Sequence, residues 1–207
     1  MEKKPLRGLF LYNGIFVLAG SLLGPLYAVY VGKFKGVSVS VSWAAFLFSV
    51  SVFTYLISRT GDRLGKKEYL LMAGFLVRAI AWMLFIFVDT LAALIALQIL
   101  LGLGDALGGP SFDSLFASRI DQERAISQYS NWKLFSNVLT VTGTLAGGLI
   151  ADKFGFQYLF LSMSALAMVS FFGVLFQIEE AKQWRPVVLV REKIRPQYLF
   201  DKFSNLF

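Results

Sequence analysis

Apolar runs of membrane length recur along the chain, separated by short polar stretches. Six can be drawn, at about 8–32, 40–58, 69–88, 90–117, 134–151 and 156–177. Each reaches or approaches the roughly 20 residues that an α-helix needs to cross about 30 Å of hydrocarbon. Lipid offers nothing to bond a backbone N–H or carbonyl, so these segments are predicted to be helices. The period-two alternation of barrel strands is missing from them. The first run is too long for the apolar part of a signal peptide, and no small-residue cleavage pattern closes it, so it is read as one retained helix bent at Pro25.

Composition agrees with lipid as the solvent. Of 207 residues, 57% are hydrophobic and only 16% charged, too few to clothe a water-soluble domain of this size. The net charge of +7 does not point to nucleic acid, because the basic residues sit between the apolar runs instead of lining one face. Sixteen of the 20 Lys and Arg flank the N-terminus, the second and fourth loops and the tail; three (Lys33, Lys35 and Lys153) lie on the other side, and Arg78 lies inside a run. By the positive-inside rule this predicts both termini in the cytoplasm of a multi-pass protein, most simply in a plasma (inner) membrane. No cysteine or histidine is present, which leaves carboxylates for any proton chemistry and gives no nucleophile or metal cluster for an enzyme. No cofactor or metal is expected. Residues 181–207 read as a basic cytoplasmic tail, in which Leu199, Phe200, Phe203, Leu206 and Phe207 fall at the spacing of an amphipathic interfacial helix.

Charges inside the apolar runs carry the chemistry. Arg78 lies near mid-membrane in the third run, and Asp105 falls within about a turn of that depth in the antiparallel fourth. Unpaired charges at that depth cost several kcal/mol at least, so the two are expected to pair. Such a pair either holds the helices in register or makes Asp105 a coupling site that responds to solute; the sequence leaves both open. Asp113, nearer the inner end, is expected to meet cytoplasmic water. The fifth run carries Gly143, Gly147 and Gly148, a strip of small residues that lets helices approach closely.

The loop after the second run reads Ser58, Gly61, Asp62, Arg63, Gly65, Lys66 and Lys67. There Gly65 permits a tight turn and Asp62 can accept bonds from a helix N-terminus across a closing interface. Ninety residues later Asp152, Lys153 and Gly155 repeat its Asp-basic-x-Gly core on the opposite membrane side, as two inverted three-helix repeats would. This loop resembles the Gly-x-x-x-Asp-Arg-x-Gly-Arg/Lys-Arg/Lys signature of the major facilitator superfamily (MFS), with Ser58 in place of the leading glycine. The fourth run, with Gln98, Gly102, Gly104, Asp105, Gly108 and Gly109, is similar to that family's Arg-x-x-Gln-Gly-x-Gly helix, with Gln98 in place of the arginine.

The resemblance implies an all-α membrane fold of six helices, the N-terminal half of a family that usually has twelve. It also implies a cavity lined by the first and fourth helices, with Tyr12, Asn13, Tyr27, Gln98 and Asp105 as lining candidates. Six helices alone would leave such a cavity open to lipid, so a homodimer is expected, with a complementary half as the alternative. The expected function is alternating-access transport of a small solute, with proton coupling an option; a non-transporting scaffold or sensor is the competing class. The solute itself does not follow from these residues.

Overall fold

In the computed structural model, which describes residues 6–34, 38–60 and 67–193, every regular element is a helix and no strand occurs among those residues. The order is α1 (Leu6–Ser21), α2 (Leu26–Val31), α3 (Ser38–Thr60), α4 (Lys67–Leu84) with a 3-10 turn at Phe85–Phe87, α5 (Leu91–Arg119), α6 (Ala125–Phe154) and α7 (Phe156–Lys193). Five of them, α3 to α7, are long and apolar enough to cross a membrane. The chain divides into two compact units, Met1–Val174 and Leu175–Phe207.

The first run is not one helix, which corrects the expectation over 8–32. It breaks between Ser21 and Leu26, because Pro25 has no N–H to return to the Ser21 carbonyl. That carbonyl receives a long bond from the Thr144 hydroxyl of α6 instead, at 3.5 Å, so a neighbouring helix satisfies what the proline leaves free. The fifth run also begins earlier than its apolar stretch: α6 is helical from Ala125, through the polar residues Ser127, Gln128 and Asn131. Helix α7 likewise runs past 177, through Pro186, to Lys193, into the segment read as a basic tail from 181. The amphipathic candidates from Leu199 to Phe207 fall outside the described residues.

Between lipid-facing helices there is no hydrophobic drive, so close packing and interhelical bonds must hold them. The sequence supplies glycine where backbones meet. A Cβ on Gly102 of α5 would fall 1.8 Å from Ser49 Oγ of α3, and one on Gly74 of α4 would fall 2.7 Å from the Gly108 nitrogen of α5. Helices α3, α4 and α5 therefore pack as one group, while α1 lies against α6. The tightest core is aromatic, built on Phe75, Trp82, Phe85, Phe116 and Phe160, all at most 2% exposed. Ser164 of α7 is tied to the α4 carbonyl of Ala79 at 2.9 Å.

At the join of α6 and α7, Gly155 adopts φ +88°, a conformation that L side chains rarely adopt, and its N–H closes the helix on Ala151 and Ile150. This gives a physical reason for the glycine in the Asp152–Gly155 pattern. Asp152 itself is exposed.

Candidate functional site

The close approach of α4 and α5 sets the position of the intramembrane charges. A Cβ on Gly104 would come within 2.5 Å of Arg78 Cγ, so only a glycine there lets the arginine stem lie flat along α5. Along that path Arg78 Nη1 lies 2.5 Å from Asp105 Oδ1, to which it donates a charge-assisted hydrogen bond. The guanidinium also lies 5.0 Å from the ring of Phe16 on α1 and 5.2 Å from that of Trp82. Aromatic faces stabilise a desolvated cation in such an arrangement. The Arg78 side chain is 18% exposed and that of Asp105 41%. The pair is therefore reachable from its carboxylate side.

Two cavities meet at this arginine. The larger, about 310 Å³, lies between α1 and the α4–α5 pair, and Asn13, Phe16, Arg78, Asp105, Phe112 and Asp113 are among its walls. The smaller, about 150 Å³, is lined by Tyr27, Trp43, Trp82, Gln98 and Met163 among others. Both include Gly20 and Arg78 in their walls.

Polar groups at the smaller cavity are joined in series. Gln98 Nε2 donates to Tyr27 Oη, which shares a hydrogen 2.6 Å from Ser42 Oγ, and Ser42 donates to the Ser38 carbonyl at 2.6 Å. With Gln98 donating in and Ser42 donating out, the Tyr27 hydroxyl is left to donate to Ser42. The chain ties α5, α2 and α3 together, and it accounts for a buried glutamine in an apolar helix.

Four of the lining candidates thus face these cavities: Asn13 and Asp105 the larger, Tyr27 and Gln98 the smaller. Tyr12 faces neither. Its ring lies against Gly173 of α7, where a Cβ would come within 2.0 Å of Cε1, because it is rotated one position round α1 from Asn13. Asp113 is exposed on the wall of the larger cavity. Of the small-residue strip, Gly143 and Gly147 pack against the end of α1, whereas Gly148 has open space. Within the signature loop Asp62, Arg63, Gly65 and Lys66 lie outside the described residues; Lys67 donates to Ser114 Oγ at 2.5 Å. Nearby Arg119 Nη2 donates to Glu68 at 3.1 Å, a second α4–α5 ion pair that sequence reasoning missed, Arg119 having been counted only as a loop charge. Also missed were Phe16, Gly20 and Trp82 around the guanidinium; aromatic and glycine residues in an apolar run carry no signal of such a role. Among the described residues no group of three or more acidic, His or Cys side chains could hold a metal.

Comparison with known proteins places this geometry in a family. The model of the Major Facilitator Superfamily matches residues 9–200. The chain is 30% identical to the multidrug resistance protein MdtG of Klebsiella pneumoniae (strain 342), over 96% of this chain and 48% of that protein. It is 26% identical to the chloramphenicol resistance protein CraA of Acinetobacter baumannii, over 87% of this chain and 46% of that protein. To MdtG of Escherichia coli (strain K12 / DH10B) it is 30% identical, over 85% and 43%. The chain spans about half the length of the curated relatives it matches. No solved structure matches it.

Proposed function

The chain belongs to the Major Facilitator Superfamily, as a multi-pass integral membrane protein, and we propose that it moves a small amphipathic solute across the membrane by alternating access through the cavity at Arg78. The observation that carries this reading is the Arg78–Asp105 pair, which opens on one side into about 310 Å³ between α1 and α5. A pair placed only to fix register would be better sealed, since exposure admits water and screens it. Relatives named for multidrug and chloramphenicol resistance support a drug-like, amphipathic solute.

In this reading six spans cross the membrane, α1 and α2 forming the first as a broken helix, with both termini cytoplasmic as the charge asymmetry favours. Broken helices put free carbonyls and flexible joints beside a transport path. Asp105 is the coupling carboxylate: a proton on it releases Arg78, and solute entry and proton entry exclude each other.

The unit works as a homodimer. Support comes from α3 and α6, whose outer faces are the least covered, with Phe48 72% and Leu145 66% exposed. Helix α6 also sets Asn137 and Thr140 on an exposed side, and an amide in hydrocarbon is costly without a second body to meet it. The loop of Asp62 and Arg63 closes the cytoplasmic side by bonding to the start of the other copy's α6.

The test is chloramphenicol flux in proteoliposomes under an imposed pH gradient. Wild-type protein is expected to give gradient-driven flux and Asp105→Asn to lose the gradient dependence. Flux equal to protein-free vesicles overturns the reading. The mass of the lipid-embedded particle decides the assembly: two copies support the homodimer, and one copy with a different chain assigns a complementary half.

A further inference from the structure

The Arg78 guanidinium carries five N–H donors, and among the described residues only the bond from Nη1 to Asp105 is made. Its Nε is buried with no acceptor. Its Nη2 points toward Gly20: a Cβ built on that glycine would lie 3.9 Å away, at ordinary contact distance. Gly20 and Arg78 are both walls of the two cavities, so Nη2, beside Gly20, stands where the cavities meet. Buried donors of a charged group are costly to leave unmade, and an oxygen acceptor arriving there gains a charge-assisted bond.

What can bring that acceptor is limited by charge and shape. Asp105 already neutralises the arginine, so no net positive charge remains at the guanidinium to draw an anion. The cavity walls beside it are aromatic: Phe16 and Phe112 line the larger cavity with Arg78, and Trp43 and Trp82 the smaller. Aromatic walls of this kind accept another flat ring by offset or edge contact.

We infer that the site at Arg78 takes a neutral, flat aromatic solute carrying an oxygen acceptor, which bonds the free guanidinium donor beside Gly20 while its ring lies against the cavity walls of Phe16 and Phe112. This rests on the transport reading for its biological meaning and names the solute class of the same cavity. It assigns Gly20 as the residue whose missing side chain makes the room, and Arg78 as the group that reads the acceptor.

Three probes with one ring body separate the alternatives: 9-fluorenone, which has the carbonyl; fluorene, which lacks it; and 9-aminofluorene, which presents an ammonium. Equilibrium binding to the full chain in nanodiscs, corrected with empty nanodiscs, is expected to be saturable for fluorenone. Fluorene and aminofluorene should bind roughly tenfold more weakly, the size of one charge-assisted hydrogen bond. Arg78→Lys keeps the charge but loses the planar fork, and should weaken fluorenone by a similar factor. Gly20→Ala meets its neighbours at ordinary contact distance and leaves the ion pair intact, so it should fold and still exclude fluorenone. Equal binding of fluorene, tighter binding of aminofluorene, unchanged fluorenone binding in both variants, or no saturable binding at all would each overturn the inference. Flux that depends on Asp105 together with preference for aminofluorene would leave the transport reading standing and remove this one.

Discussion

Gly147 of α6 lies against the carbonyl of Leu22 at the break in the first span, so closely that a Cβ on the glycine would come within 1.9 Å of that oxygen. Gly143, one turn earlier, stands in the same relation to Ser21 Oγ at 2.2 Å. The atoms struck are backbone and a side chain bonded to its own helix, so neither can yield cheaply. Gly147→Ala is expected to destabilise the protein by about 1–3 kcal/mol through overpacking. Gly148→Ala, with nothing within 4 Å, should be neutral. Reversible unfolding in mixed micelles measures both; equal effects would refute the packing assignment.

The Arg78–Asp105 pair is separated into structure and coupling by a double-mutant cycle. Asp105→Asn leaves the guanidinium without its countercharge and should cost roughly 1–3 kcal/mol, below the loss at a sealed pair because Asp105 is 41% exposed. Arg78→Met together with Asp105→Leu should recover most of that stability. If the pair only fixed register, flux would recover with it. Stability is expected to return while pH-driven flux stays absent.

Tyr27→Phe removes the hydroxyl that links Gln98 to Ser42. Ser42 keeps its bond to the Ser38 carbonyl, whereas Gln98 Nε2 loses its acceptor. A stability loss of about 1–3 kcal/mol is expected for that buried, unsatisfied amide. Tyr27→Phe combined with Gln98→Leu should be closer to wild type than Tyr27→Phe alone.

Orientation is open to direct labelling, because the sequence holds no cysteine. Arg124→Cys, between α5 and α6, is expected to react with an impermeant maleimide only from the cytoplasmic side. Lys153→Cys, at the end of α6, should react only from outside. The reverse pattern would invert the topology.

The membrane helices were legible in the sequence because hydrocarbon demands long apolar runs whatever the tertiary packing. The meeting of Arg78 with Asp105 was legible for a related reason: in antiparallel spans, distance along the chain fixes depth, and charges at one depth seek each other. Rotation about each helix axis is fixed only by packing, and it was not legible. One position of rotation separates Asn13, in the larger cavity, from Tyr12, against Gly173. The same ignorance hid Trp82 and Gly20. Polar residues hid the start of α6, whose apolar run was drawn only from 134 although the helix begins at Ala125. At Pro25 the sequence foretold a bend; the structure breaks the helix there, and the α6 hydroxyl that donates to the freed carbonyl could not be read from the sequence.

The central claim is that the space between α1 and the α4–α5 pair faces first one side of the membrane and then the other. Asn13 lines that space and is 8% exposed, and the chain has no other cysteine to confuse the readout. Asn13→Cys, reconstituted in one orientation, should react with an impermeant thiol reagent added from either side, and transported solute should slow both reactions. Reaction from one side alone, or from neither, would contradict the account.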